Sequence, residues 1–150
     1  MNVRIPARKL HPDAVLPHYA TDGSAGADLF ALLDNGIPEQ TIQPGDTVLI
    51  RTGIAVAIPD GYAGLIFARS GLSLKRSLAP ANKVGVIDAD YRGELKVALH
   101  NHGKNPSQIA HGERIAQLVI VPVASASFEE TDTLDGTDRG SGGFGSTGTR

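Results

Sequence analysis

"NKVGVIDADYRGELKV", residues 82–97, is the stretch that most directly indicates how this chain folds. A short apolar run at 84–87 is followed by a polar group at 88–94, and a second apolar run begins at Leu95. Two such runs around a charged bend that contains glycine are typical of a strand, a turn and a second strand. We therefore predict a β-hairpin that presents carboxylates at its bend.

The rest of the chain repeats this pattern of short apolar runs between turn-forming residues. The runs that predict strands occupy 48–50, 54–58, 64–67, 95–99 and 115–123. The turn formers that separate them lie at 34–36, 44–46, 59–61, 101–103 and 111–113. Runs of this length and spacing indicate an all-β sandwich or barrel. Only "LSLKRSLA" (72–79) predicts a short helix.

The composition is that of one globular domain, 1–150, and it argues against several classes of function. Hydrophobic residues make up 41% and charged residues 20%, and the net charge is −2. No strong positive field therefore attracts the protein to nucleic acid or to an anionic membrane. Cysteine is absent, which excludes disulfides, thiolate nucleophiles and cysteine metal sites. No run is long enough to span a membrane, and no signal peptide is evident, so we expect a cytoplasmic protein.

The C-terminal segment has a different composition from the rest of the chain. After Val123 it is polar and rich in glycine, and it includes "RGSGGFGSTG" (139–148). Such a segment has little apolar surface to bury. We predict a folded core at about 1–124 and a mobile arm at about 125–150.

Two stretches carry residues suited to binding phosphate or holding a charge. In "ARSGLS" (68–73), Gly71 permits close approach of the backbone to a ligand, and Arg69 and Ser70 supply donors for phosphate oxygens. The alternative is a turn with a surface arginine. In "GSAGADLFA" (23–31), Asp28 lies near the start of a strand, and this stretch by itself favours a structural aspartate.

Asp88 is the candidate for the reaction itself. It follows two apolar residues, so we expect it to be partly desolvated at the end of a strand, where a carboxylate can hold and deprotonate a water. The alternative is that Asp88 and Asp90 only cap a polar turn. His100 and His102 would share one face of a strand, but no third ligand stands at metal-site spacing, so we predict a structural role for them.

Five stretches considered together are far more specific than any one alone. They are "AGADLFA" (25–31), "ARSGLS" (68–73), "GVIDADYRGE" (85–94), "ERIAQLVIVPV" (113–123) and "RGSGGFGSTG" (139–148). Their order and spacing closely resemble the five motifs of the trimeric dUTPases, over residues from about 20 to 148. Ala27 and Ala68 depart from the residues common in that family, at positions not expected to carry chemistry.

The resemblance implies a jelly-roll-like β-barrel with a flexible C-terminal arm, assembled as a homotrimer with active sites at subunit interfaces. The implied reaction is hydrolysis of dUTP to dUMP and pyrophosphate by attack of water on the α-phosphorus. It keeps uracil out of DNA and supplies dUMP for thymidylate synthesis. The implied cofactor is Mg²⁺, held by substrate phosphates and waters rather than by protein ligands.

The resemblance also implies a role for each matching residue. Asp88 would activate the water, Tyr91 would pack under the deoxyribose, and Asp28 would support the metal-bound water or the interface. The residues implied to bind substrate in the core are Arg69, Ser70, Gly71, Asn82, Val86, Ile87, Lys96 and Gln117. In the arm they are Arg139, Phe144, Gly145, Ser146 and Thr147. There Phe144 would stack on uracil, and Arg139 would pair with the terminal phosphates.

Two other classes share features with this pattern. One is a dCTP deaminase, or a bifunctional deaminase–diphosphatase, which shares the fold but needs a different acid–base group near the base. The other is a non-catalytic nucleotide-binding module, which would be expected to lose Asp88 or the arm.

Overall fold

The computed structural model describes residues 3–34 and 36–143, which form eleven β-strands and one α-helix. The helix, α1, spans Ser70–Arg76. The strands are β1 Ala7–Lys9, β2 Ala27–Phe30, β3 Glu39–Ile42, β4 Thr47–Arg51, β5 Ile54–Val56, β6 Tyr62–Ala68, β7 Leu78–Pro80, β8 Gly85–Ile87, β9 Lys96–Asn101, β10 Ser107–Ala110 and β11 Arg114–Pro122. The predicted all-β class is confirmed.

The strands pair in four antiparallel sets. The largest sheet has the order β2-β11-β6-β8, and a second has the order β4-β9-β7. Two-stranded pairs, β1 with β5 and β3 with β10, complete the arrangement. Because these four sets are hydrogen-bonded separately, the described strands form an open jelly-roll-like fold rather than one continuous barrel sheet.

The core forms where alternate residues of these strands face inward. In β9, Val97, Leu99 and Asn101 are buried, whereas the residues between them are more exposed. Buried Asn101 is fully engaged: its side-chain nitrogen donates to the carbonyls of Ile42 and Asn105 at 2.9 and 2.8 Å. Its side-chain oxygen accepts the Gly103 N–H at 2.9 Å. The middle residue of "HNH" (100–102) is therefore part of the core, in line with a structural role for this stretch.

The helix starts and ends earlier than the predicted range of 72–79. It ends because Ser77 adopts a left-handed conformation, with φ 55°. The Ser77 N–H donates hydrogen bonds to the carbonyls of Leu72 and Ser73. The chain then enters β7, which pairs with β9. The last two residues of the predicted helix, Leu78 and Ala79, are thus in a strand, because pairing with β9 outweighs the weak helical pattern.

The predicted hairpin at 82–97 is wrong. β8 pairs with β6 in the largest sheet, whereas β9 pairs with β4 and β7 in the second sheet. Residues 88–95, between β8 and β9, therefore cross from one sheet to the other. Two strands that are adjacent in sequence need not pair, and only long-range register decides which neighbour each one takes.

The last described part of the chain forms no helix or strand. Residues 122–141 are exposed throughout, and the described part of 124–143 contains turns and bends only. Among the described residues, no helix is long and apolar enough to cross a membrane.

Candidate active site

A cavity of about 290 Å³ lies at the crossing between the two main sheets. It is lined by Val86, Ile87, Asp88, Tyr91, Glu94, Leu95 and Lys96. Five of these seven are residues singled out in the sequence as catalytic or substrate-binding. The fold therefore gathers the third of the five stretches into one concave surface.

Asp88 lies directly after β8, and its backbone is held in a turn in which the Tyr91 N–H donates to the Asp88 carbonyl at 3.2 Å. Its side chain is exposed in this single chain. The expectation that Asp88 is partly desolvated is therefore not met within one chain. The carboxylate is open to solvent at the edge of the cavity.

The phenol ring of Tyr91 is part of the cavity wall and is 42% exposed. Its hydroxyl donates to the backbone carbonyl of Glu94 at 3.0 Å, which fixes the ring over the bend. A Cβ added to Gly93 would clash with the Tyr91 hydroxyl and ring. Glycine at 93 is therefore what allows the ring to lie so close to the backbone.

Glu94 lines the same cavity, although it was not a predicted site residue. Its side chain is 12% exposed and accepts Arg51 Nε at 3.0 and 3.1 Å and the Gly53 N–H at 2.8 Å. Lys96 Nζ lies 4.0 Å from the other side of the carboxylate. Glu94 raises the pKa of Arg51, chiefly through their side-chain hydrogen bond, with Asp34 contributing as well.

Asp28 is the centre of a second cluster, on the sheet formed by β2, β11 and β6. It is 1% exposed, and its oxygens accept Arg69 Nε at 2.9 Å, Arg114 at 3.2 Å and the Gln117 amide at 3.3 Å. Strand pairing makes this possible, since Asp28 stands opposite Gln117 and Arg69 follows the end of β6. A buried carboxylate thus orients two predicted phosphate-binding side chains.

Arg114 belongs to this cluster and was not a predicted site residue. It lies in "ERIAQ" (113–117), but no local pattern distinguishes it from a surface arginine. Its relation to Asp28 depends on pairing between strands 86 residues apart in the chain. A register this distant cannot be read from neighbouring residues.

Three other predicted residues are exposed. Ser70 and Gly71 are exposed at the start of α1, immediately after Arg69. Asn82 is exposed in the turn between β7 and β8, where its carbonyl accepts the Val84 N–H at 2.7 Å.

One chain does not bring the two clusters together. Ile87 pairs with Gly64 in β6, and Arg69 lies five residues beyond Gly64 along the same strand direction. At about 3.3 Å per residue this separates them by roughly 17 Å, and Asp88 lies on the far side of Ile87. Asp88 and Arg69 of the same chain therefore lie at opposite ends of β6.

The arm residues divide into two groups. Arg139 is exposed, and its Nε donates to the Gly142 carbonyl at 2.8 Å within the same turn. Phe144, Gly145, Ser146 and Thr147 lie outside the described residues. No contact of the described arm with either cluster appears among the hydrogen bonds and ion pairs of residues 3–34 and 36–143.

The described residues also contain no group of three or more histidine, cysteine, aspartate or glutamate side chains able to hold a metal ion. His100 and His102 contact each other edge to face at 4.4 Å, and His100 Nδ1 bonds the Thr47 hydroxyl at 2.9 Å. The expectation of a structural role for this pair is consistent with these contacts.

Comparison with known proteins assigns this arrangement to a class. A family model described as dUTPase matches residues 13–148. The chain is 50% identical to a deoxyuridine 5'-triphosphate nucleotidohydrolase of Acinetobacter baylyi, over 99% of this chain and 97% of the relative. It is 54% identical to the protein of the same name from Desulfitobacterium hafniense, over 89% and 87%. The chain therefore belongs to the dUTPase family, as its five motifs predicted.

Solved structures agree with this assignment. The Staphylococcus bacteriophage 80alpha dUTPase with dUpNHpp superimposes with a TM-score of 0.87 at 30% identity, covering 98% of this chain and 99% of the other. A mutant dUTPase from phage phi11 of S. aureus, described with a structural Mg(II) ion, has a TM-score of 0.77 at 28% identity, covering 87% and 98%. The fold of this chain is thus shared with these two phage enzymes.

Proposed function

We propose that this chain is a dUTP diphosphatase that hydrolyses dUTP to dUMP and pyrophosphate through attack of water on the α-phosphorus. The observation that carries the proposal is the cavity in which Asp88, Tyr91 and Lys96 meet the edge of β8. Family membership makes dUTP the substrate of choice, and the product dUMP is the precursor for thymidylate synthesis. The deaminase and the non-catalytic module are not favoured by the relatives.

The edge of β8 supports recognition of the base. In the sheet order β2-β11-β6-β8, β8 is the last strand, so one side of Gly85–Ile87 has no strand partner among the described residues. Unpaired N–H and C=O groups of an edge strand can bond a planar partner much as another strand does. The backbone of Val86 and Ile87, with the Asn82 side chain beside it, would read the edge of uracil.

Tyr91 and Asp88 would act on the sugar and on water. The Tyr91 ring would pack under the deoxyribose and leave no room for a 2′-hydroxyl. Asp88, exposed at the rim, would hold a water in line with the α-phosphorus. A carboxylate is a weak base at neutral pH, so positioning and charge stabilisation would contribute more than proton removal.

The Asp28 cluster would bind phosphate. Arg69 offers a planar fork of donors, and Asp28 fixes its orientation through Nε at 2.9 Å, which leaves the rest of the guanidinium for phosphate oxygens. Gln117, on the same carboxylate, would lie beside it. Ser70 and Gly71 would add N–H groups, because the first N–H groups of a helix have no partner within it.

A homotrimer would join the two clusters. Because Asp88 and Arg69 of one chain lie at opposite ends of β6, Asp88 of one subunit and Arg69 of a neighbour would serve the same dUTP. The arm would complete the site, with Phe144 on uracil and with Arg139, Gly145, Ser146 and Thr147 on the phosphates. Ordering such an arm costs entropy, which charged phosphate contacts offset.

Mg²⁺ would be held by phosphate oxygens and waters. The donor set fits this arrangement: Asp28 is engaged by two arginines and an amide, and the described residues supply no carboxylate cage. When bound, the ion supplies neutralisation of phosphate charge and fixes the conformation of the triphosphate chain. The site of action would be the cytoplasm, as expected from the sequence.

The test is pyrophosphate release from dUTP, UTP, dCTP and dTTP, with and without Mg²⁺. We expect strong preference for dUTP and dependence on Mg²⁺. Ammonia release from dCTP would instead identify a deaminase. Tight binding of dUTP without turnover would identify a non-catalytic module.

A further inference from the structure

Glu94 is less exposed to solvent than Asp88, the other carboxylate that lines the cavity. Its oxygens are shared between the Arg51 guanidinium, bound through Nε at 3.0 and 3.1 Å, and the Gly53 N–H at 2.8 Å. The side chain is 12% exposed, against 34% for Arg51 and 42% for Lys96. Hydrogen bonds to a charged and largely buried acceptor are among the stronger ones in proteins.

The backbone around Glu94 is anchored to the same turn. The Leu95 N–H donates to the Ile54 carbonyl at 2.8 Å, and the buried Thr52 hydroxyl donates to the Leu95 carbonyl at 2.7 Å. Leu95 is fully buried, and Thr52 is 1% exposed. Side-chain and main-chain bonds therefore tie 94–95 to 51–54, between β4 and β5.

Tyr91 depends on this anchor. Its hydroxyl donates to the Glu94 carbonyl at 3.0 Å, so the position of the ring in the cavity wall depends on the position of residue 94. The backbone of Tyr91 is held separately: its N–H donates to the Asp88 carbonyl at 3.2 Å, and its carbonyl accepts Arg92 Nη1 at 2.9 Å. The bond from the hydroxyl is the one that acts on the ring itself. Displacement of Glu94 would therefore move the ring.

We infer that Glu94, with Arg51 as its counter-ion, is a positioning residue that sets how strictly the site distinguishes deoxyribose from ribose. The inference rests on the proposed function, in which the Tyr91 ring lies against the sugar. A ring held in one position excludes a 2′-hydroxyl. A ring that can shift by a fraction of an ångström admits the hydroxyl and also packs less well on deoxyribose. Discrimination by an added hydroxyl is on the order of a hundredfold at most in such pockets, so a small shift removes much of it.

The test compares Glu94→Gln with a matched control. Glutamine keeps the shape and can still accept the Gly53 N–H, but it removes the charge that faces Arg51. Glu113→Gln removes an equivalent carboxylate elsewhere, since Glu113 accepts Arg76 and the Ala110 N–H. We expect Glu94→Gln to lower kcat/KM for dUTP about tenfold, mainly through KM, while kcat/KM for UTP changes less than about twofold. Glu113→Gln should leave the ratio of the two unchanged.

Two further variants test the inference if Glu94→Gln fails to fold, as judged by circular dichroism. Arg51→Lys keeps the charge but loses the planar guanidinium, and Tyr91→Phe removes only the hydroxyl that bonds residue 94. Both should lower the dUTP-to-UTP ratio. The ratio of the affinity for dUMP to the affinity for UMP, measured by calorimetry, should fall in the same variants. This ratio does not depend on turnover.

The inference is overturned if the folded variants keep the parent's dUTP-to-UTP and dUMP-to-UMP ratios within about twofold, or if Glu113→Gln lowers them equally. A parent that releases no pyrophosphate from dUTP would instead refute the proposed function. In that case the ratio of the affinities for dUMP and UMP would still decide whether Glu94 positions the Tyr91 ring against the sugar.

Discussion

Asp28→Asn should damage both stability and catalysis, because one buried carboxylate holds three side chains. Asparagine preserves the shape but removes the negative charge that faces Arg69 at 2.9 Å and Arg114 at 3.2 Å. Breaking a buried ion pair on one side costs about 3–5 kcal/mol. The Asp28 side chain is 1% exposed, but Arg69 and Arg114 are 23% and 48% exposed, so water compensates part of that loss. We therefore expect a loss of about 2–3 kcal/mol in the free energy of unfolding.

For a chain of this length such a loss lowers Tm by roughly 5–10 °C. Thermal unfolding followed by circular dichroism, at one fixed protein concentration, measures it. Since Arg69 and Gln117 lose their common anchor, kcat/KM for dUTP should also fall about a hundredfold.

The control is the same substitution at an exposed site. Asp88→Asn should leave Tm unchanged and dUTP binding nearly intact, because the Asp88 side chain is exposed, while turnover falls at least about a hundredfold. If Asp28→Asn melts within about 1 °C of the parent and keeps its activity, the Asp28 cluster does not organise the phosphate site. Equal turnover in Asp88→Asn and the parent would remove Asp88 from catalysis.

Three further predictions concern the arm, a turn and a histidine. Deletion after Asp138 should leave a folded protein, since 122–141 are exposed, but should reduce dUTP hydrolysis at least about tenfold; hydrolysis at the parent rate would mean that the arm does not close the site. Gly53→Ala should lower the free energy of unfolding by about 3 kcal/mol, because φ is +68° and the new Cβ would lie 2.7 and 2.8 Å from the side chains of Leu32 and Ala14. Gly61→Ala, where φ is +79° but the Cβ would meet open space, should lower it by about 1 kcal/mol. Denaturant unfolding measures both. Equal costs would contradict the packing argument. Desolvation lowers the pKa of His102 from its ordinary value of 6.5, and the charges of His100 and Lys83 lower it further. Between the unfolded and the lower folded pKa the unfolded chain binds more protons, so the free energy of unfolding should fall as pH falls through this range. His102→Gln should reduce that dependence, measured by denaturant unfolding at a series of pH values, and an unchanged slope would contradict the prediction.

Local patterns predicted much of the secondary structure. The runs at 48–50, 64–67 and 115–123 correspond to β4, β6 and β11, with ends shifted by a few residues. The turn predictions are matched by glycines with positive φ at 36, 45, 61 and 112. Strand alternation and turn chemistry act over a few residues, so they can be recognised without the fold.

Short polar strands were missed. β1 and β3 are mostly exposed and lack an apolar run, so they exist because β5 and β10 offer them partners. Residues 78 and 79 were predicted to end a helix, but they form a strand because β9 offers them a partner.

By itself, the sequence determined the all-β class, the family and the residues able to carry the chemistry, because residue types and their spacing are local properties. Tertiary structure alone decided which of those residues meet. Pairing of β2 with β11 brings Asp28 to Arg114 and Gln117, and pairing of β6 with β8 sets Asp88 and Arg69 at opposite ends of one strand. The crossing at 88–95 gives Glu94 its contact with Arg51. Each contact depends on strand register between distant segments, and a shift of one residue would turn every side chain to the other face.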